Sequence, residues 1–206
     1  SNILQEPRLF QLNKEWDWDY VSQHALWIKF SEGDNYFVNK YKDRLNFELL
    51  SSRTDIALTE QVISKFEQKG YRWDWNALTN NSSITYTLKF IEKHLECPWN
   101  WGLLSSHPEL DNEFINKYKE KDWNWAIVTS RDFFEPNTEL LHYVLDLGNV
   151  IDWKNLSENP KLSSEVIEDF AENLDWTILI RDNRSFNNIA SDLVQFLRRF
   201  ESYIVW

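Results

Sequence analysis

Apolar and polar positions alternate along this chain in a phrase that returns seven times. An apolar residue is followed by Asp or Asn, then by an aromatic, and after two further residues by an aliphatic and a Ser or Thr. It reads Trp16-Asp17-Trp18 with Val21-Ser22, Leu45-Asn46-Phe47 with Leu50-Ser51, and Trp73-Asp74-Trp75 with Leu78-Thr79. It returns as Trp99-Asn100-Trp101 with Leu104-Ser105, Trp123-Asn124-Trp125 with Val128-Thr129, and Ile151-Asp152-Trp153 with Leu156-Ser157. The seventh copy, Leu174-Asp175-Trp176 with Leu179, carries Ile180 in the hydroxyl slot. The second aromatic is the marker of each copy, and Trp206 stands where an eighth would fall.

The phrase is a helix start. Asp and Asn favour the N-cap because a side-chain oxygen accepts from a free backbone N–H. The apolar residue before the cap and the aliphatic four after it have the spacing of a hydrophobic staple. The marker aromatic, three before that aliphatic, lies on the same helical face. A second helical pattern follows each phrase, clearest at 59–66, 111–118 and 163–170, where two adjacent apolar residues precede an aromatic by three. The segments 85–94, 138–147 and 187–200 read the same way. Pro108, Pro136 and Pro160 fall in the links, where they break no helical ladder. Ser31-Glu32-Gly33-Asp34-Asn35 reads as a loop inside the first repeat.

The unit is therefore a short capped helix, a link and a longer helix, 23–30 residues in all. One hairpin cannot bury its own apolar face, so neighbours must stack. The expected fold is all-α, an α-solenoid of about seven such hairpins forming one array over 1–206, with the indoles wedged between layers. The chain contains no Met, opens on Ser1-Asn2 and ends on apolar residues, which reads as a fragment of a longer protein.

The repeat resembles helical-hairpin solenoids in the broad tetratricopeptide and HEAT sense, without the tetratricopeptide Trp-Leu-Gly-Tyr-Ala-Pro pattern. More closely, it resembles the D/N-W-x-x-L-S repeats of uncharacterised bacterial and large-virus proteins. The likeness runs from Trp16 to Trp176; it implies an interaction scaffold and carries across no catalytic residue.

Charge narrows the partners. A net charge of −11 disfavours non-specific binding to phosphate backbones and suits a basic partner. Arg181 with Arg184, and Arg198 with Arg199, are the best basic clusters and read as solvated helix faces. Cys97 is alone, so no disulfide framework exists within one chain, which suits a reducing, cytoplasmic setting. No stretch has the length to span a bilayer.

Candidate chemistry is sparse. His94 and Cys97 have metal-ligand spacing, but a closed zinc site wants four ligands, and His24, His107 and His142 do not complete one; a buried Cys beside a helix-end His accounts for the pair. Glu168, Asp169, Glu172 and Asp175 form an acidic run, best read as a solvated face plus one cap. No Gly-rich phosphate loop or nucleophile elbow occurs, so neither a cofactor nor an enzyme activity is expected. The Trp-Asp-Trp and Trp-Asn-Trp triplets are candidate platforms for sugars or bases. That nucleic-acid- or glycan-binding reading, as a module beside an enzyme elsewhere in a parent chain, is the alternative. Leu45, Ile151 and Leu174 replace the first aromatic, however, an exchange that cores tolerate and platforms do not. The leading expectation is a non-enzymatic scaffold binding a protein or peptide through exposed positions that differ between repeats: Tyr36, Lys40, Tyr86, Lys89, Asn112, Lys119 and His142.

Overall fold

Each marker aromatic opens a helix. The computed structural model describes residues 5, 15–30, 35–181 and 193–204, and among them every regular element is helical. The chain divides into two compact units, Ser1–Asn100 and Trp101–Trp206. The first unit holds α1 (Trp18–His24), α2 (Tyr36–Tyr41), α3 (Phe47–Leu50), α4 (Glu60–Glu67), α5 (Trp75–Asn80) and α6 (Leu88–Lys93). The second holds α7 (Trp101–Leu104), α8 (Asn112–Lys117), α9 (Trp125–Thr129) and α10 (Thr138–Asp146). It continues with α11 (Trp153–Ser157), α12 (Ser164–Asp169), α13 (Trp176–Arg181) and α14 (Leu193–Arg199), then a 3₁₀ turn at Glu201–Tyr203. Trp206, Ser1-Asn2, Ser31–Asp34, Arg184 and the start of the helix expected at 187–200 lie outside the described residues.

The caps form as the phrase predicts. Asp17, Asn46, Asp74, Asn124 and Asp152 each accept from the backbone N–H three residues on, and Asp175 accepts from Thr177 and Ile178. The longer helices are capped too, by Asn35, Thr59, Thr87, Asp111, Asn137 and Ser163. α6 starts three residues later than the pattern at 85–94 suggests. Thr87 is the extended cap residue there, and its N–H and hydroxyl both donate to Glu60 of the preceding repeat.

The staples are buried: Leu45 with Leu50, Trp73 with Leu78, Trp123 with Val128, Ile151 with Leu156 and Leu174 with Leu179. Phe47, Trp75, Trp101, Trp125 and Trp176 are buried markers, while Trp18 and Trp153 are half-buried. Trp73, Trp99, Trp123 and Trp176 donate their indole N–H to the carbonyls of Ile63, His94, Tyr118 and Ala171 at 2.8–3.1 Å. Rings also meet rings, with Trp75 edge-on to Trp99 at 4.8 Å in the first unit and Trp101 edge-on to Trp123 at 5.0 Å in the second. Within the first unit α1 packs on α3; within the second α11 packs on α13 and α10 on α12. Like elements of consecutive repeats therefore lie side by side.

The Ser or Thr closing each phrase couples one repeat to the next. Its hydroxyl donates back to the marker carbonyl four residues earlier, as helical Ser and Thr often do. In five copies it also accepts the backbone N–H of the following repeat's cap residue. Ser22 donates to Trp18 O (2.7 Å) and accepts from Asn46; Ser51 donates to Phe47 O (2.9 Å) and accepts from Asp74. Thr79 joins Trp75 O to Asn100, Ser105 joins Trp101 O to Asn124, and Ser157 joins Trp153 O to Asp175. Ser51→Ala leaves the Asp74 N–H without its acceptor and is expected to cost about 1–3 kcal/mol. Ser51→Thr should cost far less, since Thr79 fills the same slot. Denaturant titration of the three proteins measures both.

Candidate functional site

A second coupling lies six residues beyond four of the markers, at Arg53, Asn81, Arg131 and Asn159. Arg53 donates to Ser22 O at 2.9 Å, and Asn81 donates to both Ser51 O and Arg53 O at 2.9 and 3.0 Å. In the second unit Arg131 donates to His107 O (3.2 Å) and Asn159 to Phe134 O (2.9 Å). Each bond reaches the preceding repeat and satisfies carbonyls that the short helix cannot pair internally. Arg53, Asn81, Arg131 and Asn159 give no signal by residue type because they differ chemically, although each has an N–H to give at one fixed offset.

Arg53 also grips Asp55 in two parallel hydrogen bonds of 2.7 and 3.0 Å, and Lys29 completes the cluster. The Arg53 hydrogen bonds, joined by Lys29, hold the Asp55 carboxyl down to about 2 from the usual 3.8. A depressed carboxylate contributes stability above its unfolded pKa and loses it as pH falls through the folded one. Asp55→Asn is therefore expected to flatten the loss of stability between about pH 4 and pH 2, checked by urea titration across that range.

The expected partner-binding residues separate into three groups. Tyr36, Lys40, Lys89 and His142 are exposed. Lys40 lies over the rings of Tyr36 and Tyr41 at 5.8 and 5.4 Å, and His142 pairs with Asp169 at 2.7 Å. Asn112 and Lys119 are half-buried. Asn112 donates to Phe133 O and accepts from Glu135 N–H, while Lys119 sits over the Tyr143 ring at 4.9 Å. Tyr86 differs from its expected exposure. It is buried, its hydroxyl donates to Leu78 O at 2.9 Å, and burial holds its phenol above the ordinary range. Its slot, immediately before the cap of the longer helix, is Leu58, Leu110, Pro136 and Leu162 in other repeats, all buried.

The sparse candidate chemistry is engaged structurally. The buried His94 ring meets Phe90 O at 2.8 Å and Glu67 at 2.9 Å. Burial, with Glu67 and Glu96 nearby, pushes the Cys97 thiol up to about 11, so little reactive thiolate forms at neutral pH. Among the described residues no group of three or more His, Cys, Asp or Glu side chains is placed to hold a metal ion. In the acidic run Glu168 meets Arg199 at 2.7 Å, Asp169 meets His142, Glu172 receives the Tyr203 hydroxyl and Asp175 caps α13. Arg181 faces Glu158 at 3.9 Å.

A polar cleft of about 370 Å³ in the second unit is lined by Ser130, Arg131, Asp132, Asn155, Glu158, Asn159 and Pro160. Of this lining, Arg131 and Asn159 serve the inter-repeat bonds and Ser130 donates its hydroxyl to Ile127 O. Charge is unevenly spread: the first unit has 12 Lys and Arg against 14 Asp and Glu, net −2, and the second has 10 against 19, net −9. No helix among the described residues is long and apolar enough to cross a membrane. Comparison of the chain with protein-family models, with curated proteins and with solved structures finds no match, so its role rests on its own residues.

Proposed function

We propose that the chain is a non-enzymatic helical-repeat scaffold, an α-solenoid that holds a protein or peptide partner in the cytoplasm. One observation carries the reading: the residues that recur are spent on capping helices and holding repeats together, and the exposed positions outside the caps vary. The position after the marker is Asp19, Glu48, Asn76, Gly102, Ala126, Lys154 and Thr177 in successive copies, each wholly or partly open to solvent. Invariant anchors with a varied surface suit recognition of a long, irregular partner. The resemblance to D/N-W-x-x-L-S repeats points the same way, and the acidic balance favours a basic partner. The nucleic-acid or glycan alternative needs free indole faces, and the buried markers lend it no support.

The test places a photo-crosslinking residue at Tyr36 or Lys89 and exposes the protein to extract of its source cells. A saturable protein adduct, competed by unlabelled chain and unaffected by nuclease, is expected. Adducts only to nucleic acid or carbohydrate would overturn the proposal.

A further inference from the structure

The turn between α10 and α11 breaks the pattern of its neighbours. Leu147 and Val150 are 57% and 74% exposed, among the most open large apolar side chains described. They flank Gly148, whose φ of +74° makes the sharp turn after α10. Counted back from the marker, the same two slots are Tyr41 and Arg44, Lys69 and Arg72, Leu95 and Pro98, Lys119 and Asp122, and Phe170 and Asn173 in the other described repeats. None of these places two exposed aliphatics there, so the hairpin itself does not require them. An exposed apolar patch with a polar rim marks an interaction surface.

Acidic residues accompany the pair. Asp146 closes α10 beside Leu147, and the sibling turns carry Glu120 and Asp122 in the preceding repeat and Glu172 in the next; all are exposed. Of the lysines in the preceding turn, Lys119 lies over the Tyr143 ring and 3.9 Å from Glu139, and Lys121 lies over the Trp101 ring at 5.5 Å. The unit's net charge of −9 extends the same field.

We infer that this turn docks a basic peptide segment of the partner, its aliphatic side chains on Leu147 and Val150 and its Lys or Arg on these carboxylates. The inference rests on the scaffold reading and names the partner's chemistry. Electrostatics steers the encounter and the apolar pair supplies the contact that outlasts salt.

The experiment measures fluorescence anisotropy of two short fluorescein-labelled peptides, one alternating lysine with leucine and one alternating lysine with serine, against the full chain. Wild type should prefer the leucine peptide by at least about tenfold, a preference that survives added salt. Leu147→Lys with Val150→Arg, which installs the Lys69 and Arg72 pair, should abolish the preference; Leu26→Lys in the first unit should not. Asp122→Asn with Asp146→Asn, a change confined to exposed side chains, should weaken both peptides about threefold or more and reduce their salt dependence. No preference in wild type, or a preference undiminished in the Leu147/Val150 variant, would overturn the inference. Photo-crosslinking from Tyr36 or Lys89 is independent of this turn, so a saturable protein adduct there would leave the scaffold reading standing while this surface falls.

Discussion

Trp125→Ala is expected to cost about 3–5 kcal/mol of unfolding free energy, the usual range for truncating a buried large aromatic. Trp125 is the first residue of α9, is 2% exposed and shares its helix face with Val128, which is fully buried. Truncation leaves a void beside a hydroxyl, that of Thr129, whose acceptor is the Trp125 carbonyl. Marginal stability makes this a large fraction of the total for a chain of ordinary size. Trp153, the half-buried marker, supplies the internal comparison. Trp153→Ala should cost clearly less, because solvent already reaches the ring. Denaturant titration followed by far-ultraviolet circular dichroism measures both; equal and small losses would mean that the markers are not core.

Asn81→Asp should be comparably severe with almost no change in volume. Asn81 is 4% exposed and its amide group donates to two carbonyls of the preceding repeat, while its oxygen accepts from the Ser83 N–H and hydroxyl. An aspartate keeps the acceptor half and faces Ser51 O and Arg53 O with a carboxylate. An uncompensated buried charge costs about 3–5 kcal/mol. Protonation relieves it, so the variant's folded pKa lies above the unfolded value of about 3.9. Stability is then retained below that value and lost as pH rises through the folded pKa. Thermal melts near pH 4 and near pH 7 check the sign: the gap from wild type should widen at the higher pH.

What was legible in the sequence was local. The cap, the staple and the marker obey spacings of three and four residues, so Asp74, Trp73 and Leu78 announce a helix at Trp75 without any knowledge of the rest of the chain. The hydroxyls were half legible. Ser51 reads as a helix-end hydrogen-bonder, which its bond to Phe47 O makes it, but its bond to Asp74 N–H spans 23 residues and belongs to stacking. Arg53, Asn81 and Arg131 share only donor capacity at one offset, a pattern visible once function is assigned by geometry rather than residue type. Tyr86 misled because the helical pattern at 85–94 places it in the first turn; the helix begins at Leu88 after the Thr87 cap, and the residue before that cap is buried, as Leu58 and Pro136 are before theirs. Leu147 reads as the end of the helical stripe at 138–147, and the turn at Gly148 leaves it and Val150 in solvent.

The direct test of the account is hydrogen exchange at the indole N–H groups, followed by NMR. Trp73, Trp99, Trp123 and Trp176 donate to backbone carbonyls inside the repeats, so their indole protons should exchange at least about a thousandfold more slowly than free tryptophan, opening only with the fold. Exchange of these four at the free rate in the folded protein would place the rings in solvent and contradict the structural role given to the repeated phrase.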